Sequence, residues 1–366
     1  MLDCICSLTQ SSRVQNKGEE MGQATLEAIG LVLAVVLAIG LVVVWQGGQK
    51  VAIEDVQPSW GWYIDPKDPD GKMTTAIWFV SNRADLSKRN APRELFVAPP
   101  APGAEESLTR ITIDTFDDRQ PAVSPDGSRV AYVSNKHGQA QGNVYLYDIL
   151  KGTHTRVTYR PQGLDSMPAW SPLKDGQGQH SELIIVSDLY SKIPQLYRVN
   201  IPTGTWTQIT YSQYPISSPH VSPDGRYIAY TMDVNGNTDI YVMDYDGRNV
   251  QRITSHPKQD QNPKWCPKWD TGYWIAFESD RTGDWNVYLI NPFTKEERPV
   301  TQHPGADFAP AWSPAPDGKS LVFVSDRDAA KSPGYRYSIY LVPDIWGTIQ
   351  PTTGEVETFR VTGRVQ

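Results

Sequence analysis

Cysteine is scarce in this chain. Three stand among 366 residues, Cys4, Cys6 and Cys266, too few for a disulfide framework. Six histidines (His137, His154, His180, His220, His256 and His303) are scattered along the chain. They make no metal-ligand spacing with the cysteines, so neither a metal nor a cofactor is expected. Basic residues are also in the minority, 34 Lys and Arg against 41 Asp and Glu, and the signs are mixed throughout. Without a basic stripe, nucleic acid is not an expected partner. No G-x-S-x-G elbow and no appended hydrolase domain is present, so the chain is not expected to be an enzyme. Long apolar runs are absent as well, with one exception.

The exception is MGQATLEAIGLVLAVVLAIGLVVVWQ, residues 21–46. No charge and no proline interrupts it from Ala28 to Trp45. As a helix, Gln23 to Trp45 spans about 35 Å, enough to cross a bilayer core of about 30 Å. It has no polar face, which implies burial in lipid or among other helices. Arg13 and Lys17 before it, with only Lys50 just after, place the N-terminus on the cytoplasmic side. Gly22 is followed by Gln23-Ala24-Thr25-Leu26-Glu27. This glycine-to-glutamate spacing resembles the N-terminus of bacterial type IV prepilins, including the Flp (Tad) kind, although Ala28 stands where Flp pilins usually carry tyrosine.

That resemblance implies cleavage between Gly22 and Gln23 by a prepilin peptidase, export by a pilus assembly machinery, and assembly through Gln23 and Glu27. A carboxylate in lipid costs about 2.5–3.5 kcal/mol. Pairing Glu27 with the new amine of Gln23 on a neighbouring copy relieves that cost and sets a register. The implied location is the inner (cytoplasmic) membrane for the precursor and an extracellular filament on the cell surface for the product. A plain signal anchor reads the same residues differently, with Glu27 an interfacial acid near a helix N-terminus.

The rest of the chain repeats. QPAVSPDGSRVAYVSN, MPAWSPLKDGQGQHSELIIVSD, SPHVSPDGRYIAYTMD, NPKWCPKWDTGYWIAFESD and APAWSPAPDGKSLVFVSD carry Pro121, Pro168, Pro219, Pro263 and Pro310 at intervals of 47, 51, 44 and 47 residues. A period in the forties with several short strands per unit marks a propeller. Each unit reads as four strands: a short aromatic piece, a β-branched strand ending in Ser-Asp or Ser-Asn, an alternating strand such as NVYLYD or DIYVMD, and a last strand ending in Thr. A sixth unit lies upstream, beginning at Trp60. The repeat resembles the TolB-type propeller repeat, with its P-x-W-S-P-D-G, S-D-R and I-Y signatures.

The expected fold is therefore an all-β six-bladed propeller preceded by a long hydrophobic N-terminal α-helix. Residues 1–22 form the leader, 23–46 the helix, 47–57 a stalk, and 58–366 the propeller. All four strands of each blade follow in order, so closure of the ring requires no strand exchange.

Asp118, Asp165, Asp260 and Asp307 each stand three residues before a repeat proline. They are expected to cap turns or bond to neighbouring strands; a cation-binding acidic ring is the alternative. Asn135, Asp188, Asp280 and Asp326 are expected to serve turns. Cys266 occupies a column held elsewhere by Ser124, Ser171, Ser222 and Ser313, which predicts a buried thiol. Trp346, in an insertion at 343–353, is the candidate surface contact, with packing against a neighbouring blade as the other possibility. The reading that joins these parts is a pilin-like subunit of a type IV pilus-like filament, its helix polymerising with copies of itself and its propeller displayed for binding or adhesion. The alternative is a single-span, membrane-anchored extracytoplasmic propeller acting as a protein- or glycan-binding module.

Overall fold

The computed structural model describes residues 52–362 apart from 67, 69, 87–90, 137–141, 161, 268–271, 315–317, 332–333 and 349–357. The leader, the helix expected over 23–46, and Gly22, Gln23 and Glu27 lie outside the described residues. Among the described residues no helix is long and apolar enough to cross a membrane.

The described part is an all-β propeller. Its repeat units become antiparallel sheets because their second strands are short apolar runs flanked by turns. Ile77–Val80, Val130–Val133, Leu183–Val186 and Leu321–Val324 are buried on both faces, since each sheet is sandwiched between two others. Fully burying one such side chain contributes about 1.5–3 kcal/mol. The apolar clusters accordingly lie between sheets: Ala131, Val133 and Leu146 of one unit pack against Trp170, Leu183 and Tyr197 of the next.

A six-fold signature closes each unit on itself. The threonine ending the fourth strand accepts a backbone N–H from the third strand through its hydroxyl. Leu95 bonds Thr112 at 2.9 Å, Val144 bonds Thr158 at 3.0 Å, and Leu196 bonds Thr210 at 2.8 Å. Ile240 to Thr254, Val287 to Thr301 and Ile339 to Thr362 are each 3.0 Å. The recurrent Thr is therefore a side-chain substitute for a missing ladder bond.

Two expectations are corrected. First, the units do not form six separate sheets. Four are free-standing and four-stranded, while the first and last units share one eight-stranded sheet. The strand Ile53–Ile64 runs antiparallel to Met73–Ser81, and its start pairs in parallel with Tyr335–Val342, Ile53 facing Tyr335 and Glu54 facing Tyr337. Second, that strand begins at Ile53, inside the stretch expected to be a stalk. The cause is local. Ile53 donates its N–H to the Gly334 carbonyl at 2.7 Å, and the Glu54 carboxylate pairs with Arg336 at 3.1 Å and Arg93 at 3.0 Å. The ring is thus closed by a pairing that strand order alone did not require.

Candidate functional site

The repeated acids are structural struts. Asp118, Asp165, Asp260 and Asp307 are all buried, and so is Asp55, the first-unit member of the same column. Arg281 of Ser-Asp-Arg reaches Asp260 at 2.9 Å, and Arg327 reaches Asp307 at 2.7 Å. Arg83 does the same for Asp55. In the third unit Arg160 comes from another position and bonds both Asp165 and Asp188, at 3.2 and 2.7 Å. Each of the first three guanidinium groups also lies over aromatic rings, as Arg327 does over Phe323 and Tyr340 at 5.0 and 4.9 Å. An acidic ring open to a cation is not what these residues build. Among the described residues no group of three or more His, Cys, Asp or Glu is placed to hold a metal.

The Asn/Asp set is structural too, but not within its own turn. Asn135, Asp188, Asp280 and Asp326 accept the N–H groups of Asp117, Leu164, Gln259 and Ala306 at 2.8–3.0 Å. Each acceptor fixes the residue that immediately precedes the first strand of its own sheet. Asp118 is the exception among the struts. Lys136 stands where three sister units have arginine (Arg83, Arg281 and Arg327), and it pairs instead with Asp114 at 2.7 Å. Among the described residues neither Asp118 oxygen has a hydrogen-bond partner, and burial pushes its carboxyl up to about 6, partly offset by the Ser134 and Thr112 hydroxyls nearby.

The axis of the ring is where the repeats diverge. The residue before each repeat proline has a left-handed backbone: Gln57 (φ 54°), Gln120 (54°), Met167 (50°), Ser218 (50°), Asn262 (56°) and Ala309 (52°). Such φ values are costly outside glycine. Here each one coincides with a slip in the first-strand register, because the proline has no N–H to give the ladder. Bonds run from unit to unit around this ring. Gln57 Oε1 accepts the Gln120 N–H and Gln120 Oε1 the Met167 N–H, both at 2.9 Å. Thr231 Oγ1 accepts the Asn262 N–H at 3.1 Å, and the Glu278 carboxylate accepts that of Ala309.

Along the axis lie two cavities of about 340 and 350 Å³. Pro58, Pro121, Pro168, Pro219 and Lys264 line both, and so form the waist between them. One chamber is walled by these prolines and by Trp60, Trp62, Trp170, Trp265 and Trp312, with Ser59 and His220 among them. The other has Gln57, Gln120, Ser217, Ser218, Gln261, Asn262 and Glu278 on its walls, together with Met167 and Phe308.

The residue after the repeat proline is Ser59, Ala122, Ala169, His220, Lys264 and Ala311 in successive units. Four are small; two adjacent ones are ionisable. Glu278 likewise stands in a buried column otherwise made of Val80, Val133, Val186, Thr231 and Val324. These three were missed by sequence reasoning. His220 Nδ1 accepts the Trp265 N–H at 3.1 Å, and burial, reinforced by the Lys264 charge, holds the ring down to about 3. It is therefore neutral, with the proton on Nε2. Burial also lowers the Lys264 ammonium to about 8, against the pull of Glu278. Burial pushes the Glu278 carboxyl up, opposed by the Ala309 N–H, by Asn262 Nδ2 at 3.3 Å and by Gln261 Nε2 at 2.9 Å.

Trp346, the candidate surface contact, is partly buried, packed against the apolar cluster of the last two units. It sits in the short helical turn Ile345–Thr348, whose Ile345 is fully buried. Its indole stacks on Trp312 at 6.1 Å and lies against Trp274 at 5.8 Å, so it packs under the last sheets. Cys266 is buried as its column predicts, its Sγ 3.3 Å from the Gly318 carbonyl.

Fold and site together define a propeller whose axial channel is narrowed by prolines and carries an ionisable waist. Residues 167–292 match the family model described as TolB beta propeller domain, so a TolB-type β-propeller domain is present. An uncharacterized protein of Agrobacterium fabrum is 28% identical over 157 residues, 43% of this chain and 50% of that protein. The Tol-Pal system protein TolB of Anaeromyxobacter dehalogenans is 26% identical over 147 residues, 40% of this chain and 31% of that protein. The chain thus spans half or less of the length of these curated relatives. Among solved structures, TolB from Acinetobacter baumannii superposes with a TM-score of 0.56 at 19% identity, covering 86% of this chain and 67% of that one. An oligogalacturonate lyase in complex with manganese reaches 0.51 at 16% identity, covering 86% of each chain. At such identities the likeness defines the fold and not an activity.

Proposed function

We propose that the propeller is an extracytoplasmic TolB-like binding module that engages a protein segment through its axial channel, and that it is not an enzyme. The observation that supports this is the pair His220 and Lys264, ionisable residues in the channel wall in a column otherwise of serine and alanine. Packing alone favours small residues there. On this reading the eight-stranded sheet counts as two blades joined by the Ile53–Ile64 strand, giving six in all. The test is a photo-crosslinking amino acid placed at Trp62, in the channel wall, and separately at exposed Leu150. A discrete adduct from the Trp62 position alone is expected in cells that make the protein natively. Equal adducts at both positions, or none, would refute the channel as the site of engagement.

For residues 1–46 the proposal follows the spacing from Gly22 to Glu27. The leader is removed between Gly22 and Gln23 at the inner membrane, and the helix then assembles with copies of itself into a surface filament bearing the propeller. Intact-mass measurement of the native protein should show loss of the leader, and Glu27→Gln should reduce filaments seen by electron microscopy while leaving the protein abundant in membranes. A mature protein that still begins at Met1 refutes this and leaves a membrane-anchored module.

A further inference from the structure

We propose that the channel takes a ligand with an apolar or aromatic body and a terminal carboxylate, anchored by Lys264. The inference rests on the channel being the binding site, and it names the chemistry of what binds there.

Lys264 is the cation that both chambers share. Among the described residues its ammonium makes no hydrogen bond and no ion pair. The buried carboxylates of the ring give a contrast, since Asp260 and Asp307 each hold an arginine. Glu278 is the acid that influences Lys264 electrostatically, yet its oxygens are taken up by the Ala309 N–H, Gln261 and Asn262. Lysine and glutamate therefore share the channel without neutralising each other in a contact pair. Lys264 is half-buried, and its ammonium stands in the channel wall with no protein partner among the described residues. A ligand carboxylate at the waist supplies the missing acceptor.

The neighbouring group suits the same ligand. His220 uses Nδ1 to hold the Trp265 N–H, which leaves Nε2–H as a donor. One ammonium and one neutral donor match a carboxylate's single charge and two oxygens. A phosphate dianion calls for more cation, usually an arginine fork, and none lines either chamber. The apolar body belongs on the other side of the waist, where Trp60 and Trp62 stand with the ring of prolines. A volume of about 340 Å³ lies within the range of small-ligand pockets, about 300–1,000 Å³. The free C-terminus of a peptide and a free arylalkyl acid share this chemistry.

The experiment is isothermal titration of the full chain at pH 7 with four probes: 3-phenylpropionate, 3-phenylpropanamide, the tripeptide Gly-Gly-Phe, and its C-terminal amide. Each acid is expected to bind about tenfold or more tightly than its amide, as a hydrogen bond to a charged group implies. Lys264→Met and Lys264→Gln should both abolish that preference. The stronger acid identifies the source, peptide or free acid. Equal binding of acids and amides by the parent, or an acid preference that survives in both variants, overturns the anchor while leaving the channel a binding site. Absence of binding by all four probes overturns the anchor and the channel reading together.

Discussion

Replacing Lys264 by methionine should make the protein more stable, an unusual outcome for a change at a partly buried site. Burial lowers the ammonium from 10.5 to about 8, a gap equivalent to about 3 kcal/mol at 1.36 kcal/mol per pH unit. Lys264 is only half-buried, and water in the channel reduces the net gain to about 1–3 kcal/mol. Methionine has similar length and no charge to desolvate. The sign depends on pH. Below about 8 the lysine is charged in both the folded and unfolded chains, and the folded state bears the whole cost. Between about 8 and 10.5 the folded state gives up its proton first, and the cost fades. The advantage of Lys264→Met should therefore be full at pH 7 and much smaller at pH 10. Urea unfolding of the full chain, followed by tryptophan fluorescence for parent and variant at both pH values, measures it. A variant less stable than the parent at pH 7, or a gain that does not change with pH, would refute the assignment of a strained, partnerless ammonium to the waist.

Three further outcomes follow from the struts and the seam. Asp118→Asn should stabilise the protein by about 1–3 kcal/mol at pH 7; because the carboxyl titrates at about 6 when folded and 3.8 otherwise, the advantage should disappear as pH falls through that interval, as thermal melts at pH 7 and pH 4 will show. Arg327→Met leaves Asp307 buried and unpaired and should cost about 3–5 kcal/mol; loss of less than 1 kcal/mol in denaturant titration would contradict the strut. Glu54→Gln weakens the links to Arg93 and Arg336 and should speed hydrogen exchange at Tyr335 and Tyr337 without altering exchange in the sheet of residues 216–252.

The strand pattern was legible because it is written six times. Alternation, Pro-Asp-Gly turns and terminal threonines located the sheets, and the serine column located Cys266 in the interior. The start of the ring was not legible. Ala52-Ile53-Glu54-Asp55 has the mixed charge of a linker, yet Glu54 and Asp55 are both partnered across the seam sheet, and Asp55 stands three before Pro58 as its sisters do before theirs. For Trp346 surface contact and packing both stayed open because it sits in an insertion; its ring packs on two other indoles and stays partly exposed. The site was missed for another reason. By residue type the histidines, lysines and acids are scattered along the chain. Sorted by repeat column, His220, Lys264 and Glu278 stand out as departures from Ser/Ala and Val.

The Ile53–Ile64 strand also sets where the ring is mechanically weakest. It belongs to the first unit by its eight pairings with Met73–Ser81 and to the last by two pairings at its beginning. Tension arriving along the chain from residues before 52 reaches the bonds of Ala52 and Glu54 to Asn82, the Ile53–Gly334 bond and the Glu54 bridges before it reaches the long pairing with Met73–Ser81. These few contacts load one after another, as in peeling. The seam therefore acts as a fuse: under load the circle opens at one defined place, while the four free-standing sheets keep their internal pairing and are in position to close it again when the load is released.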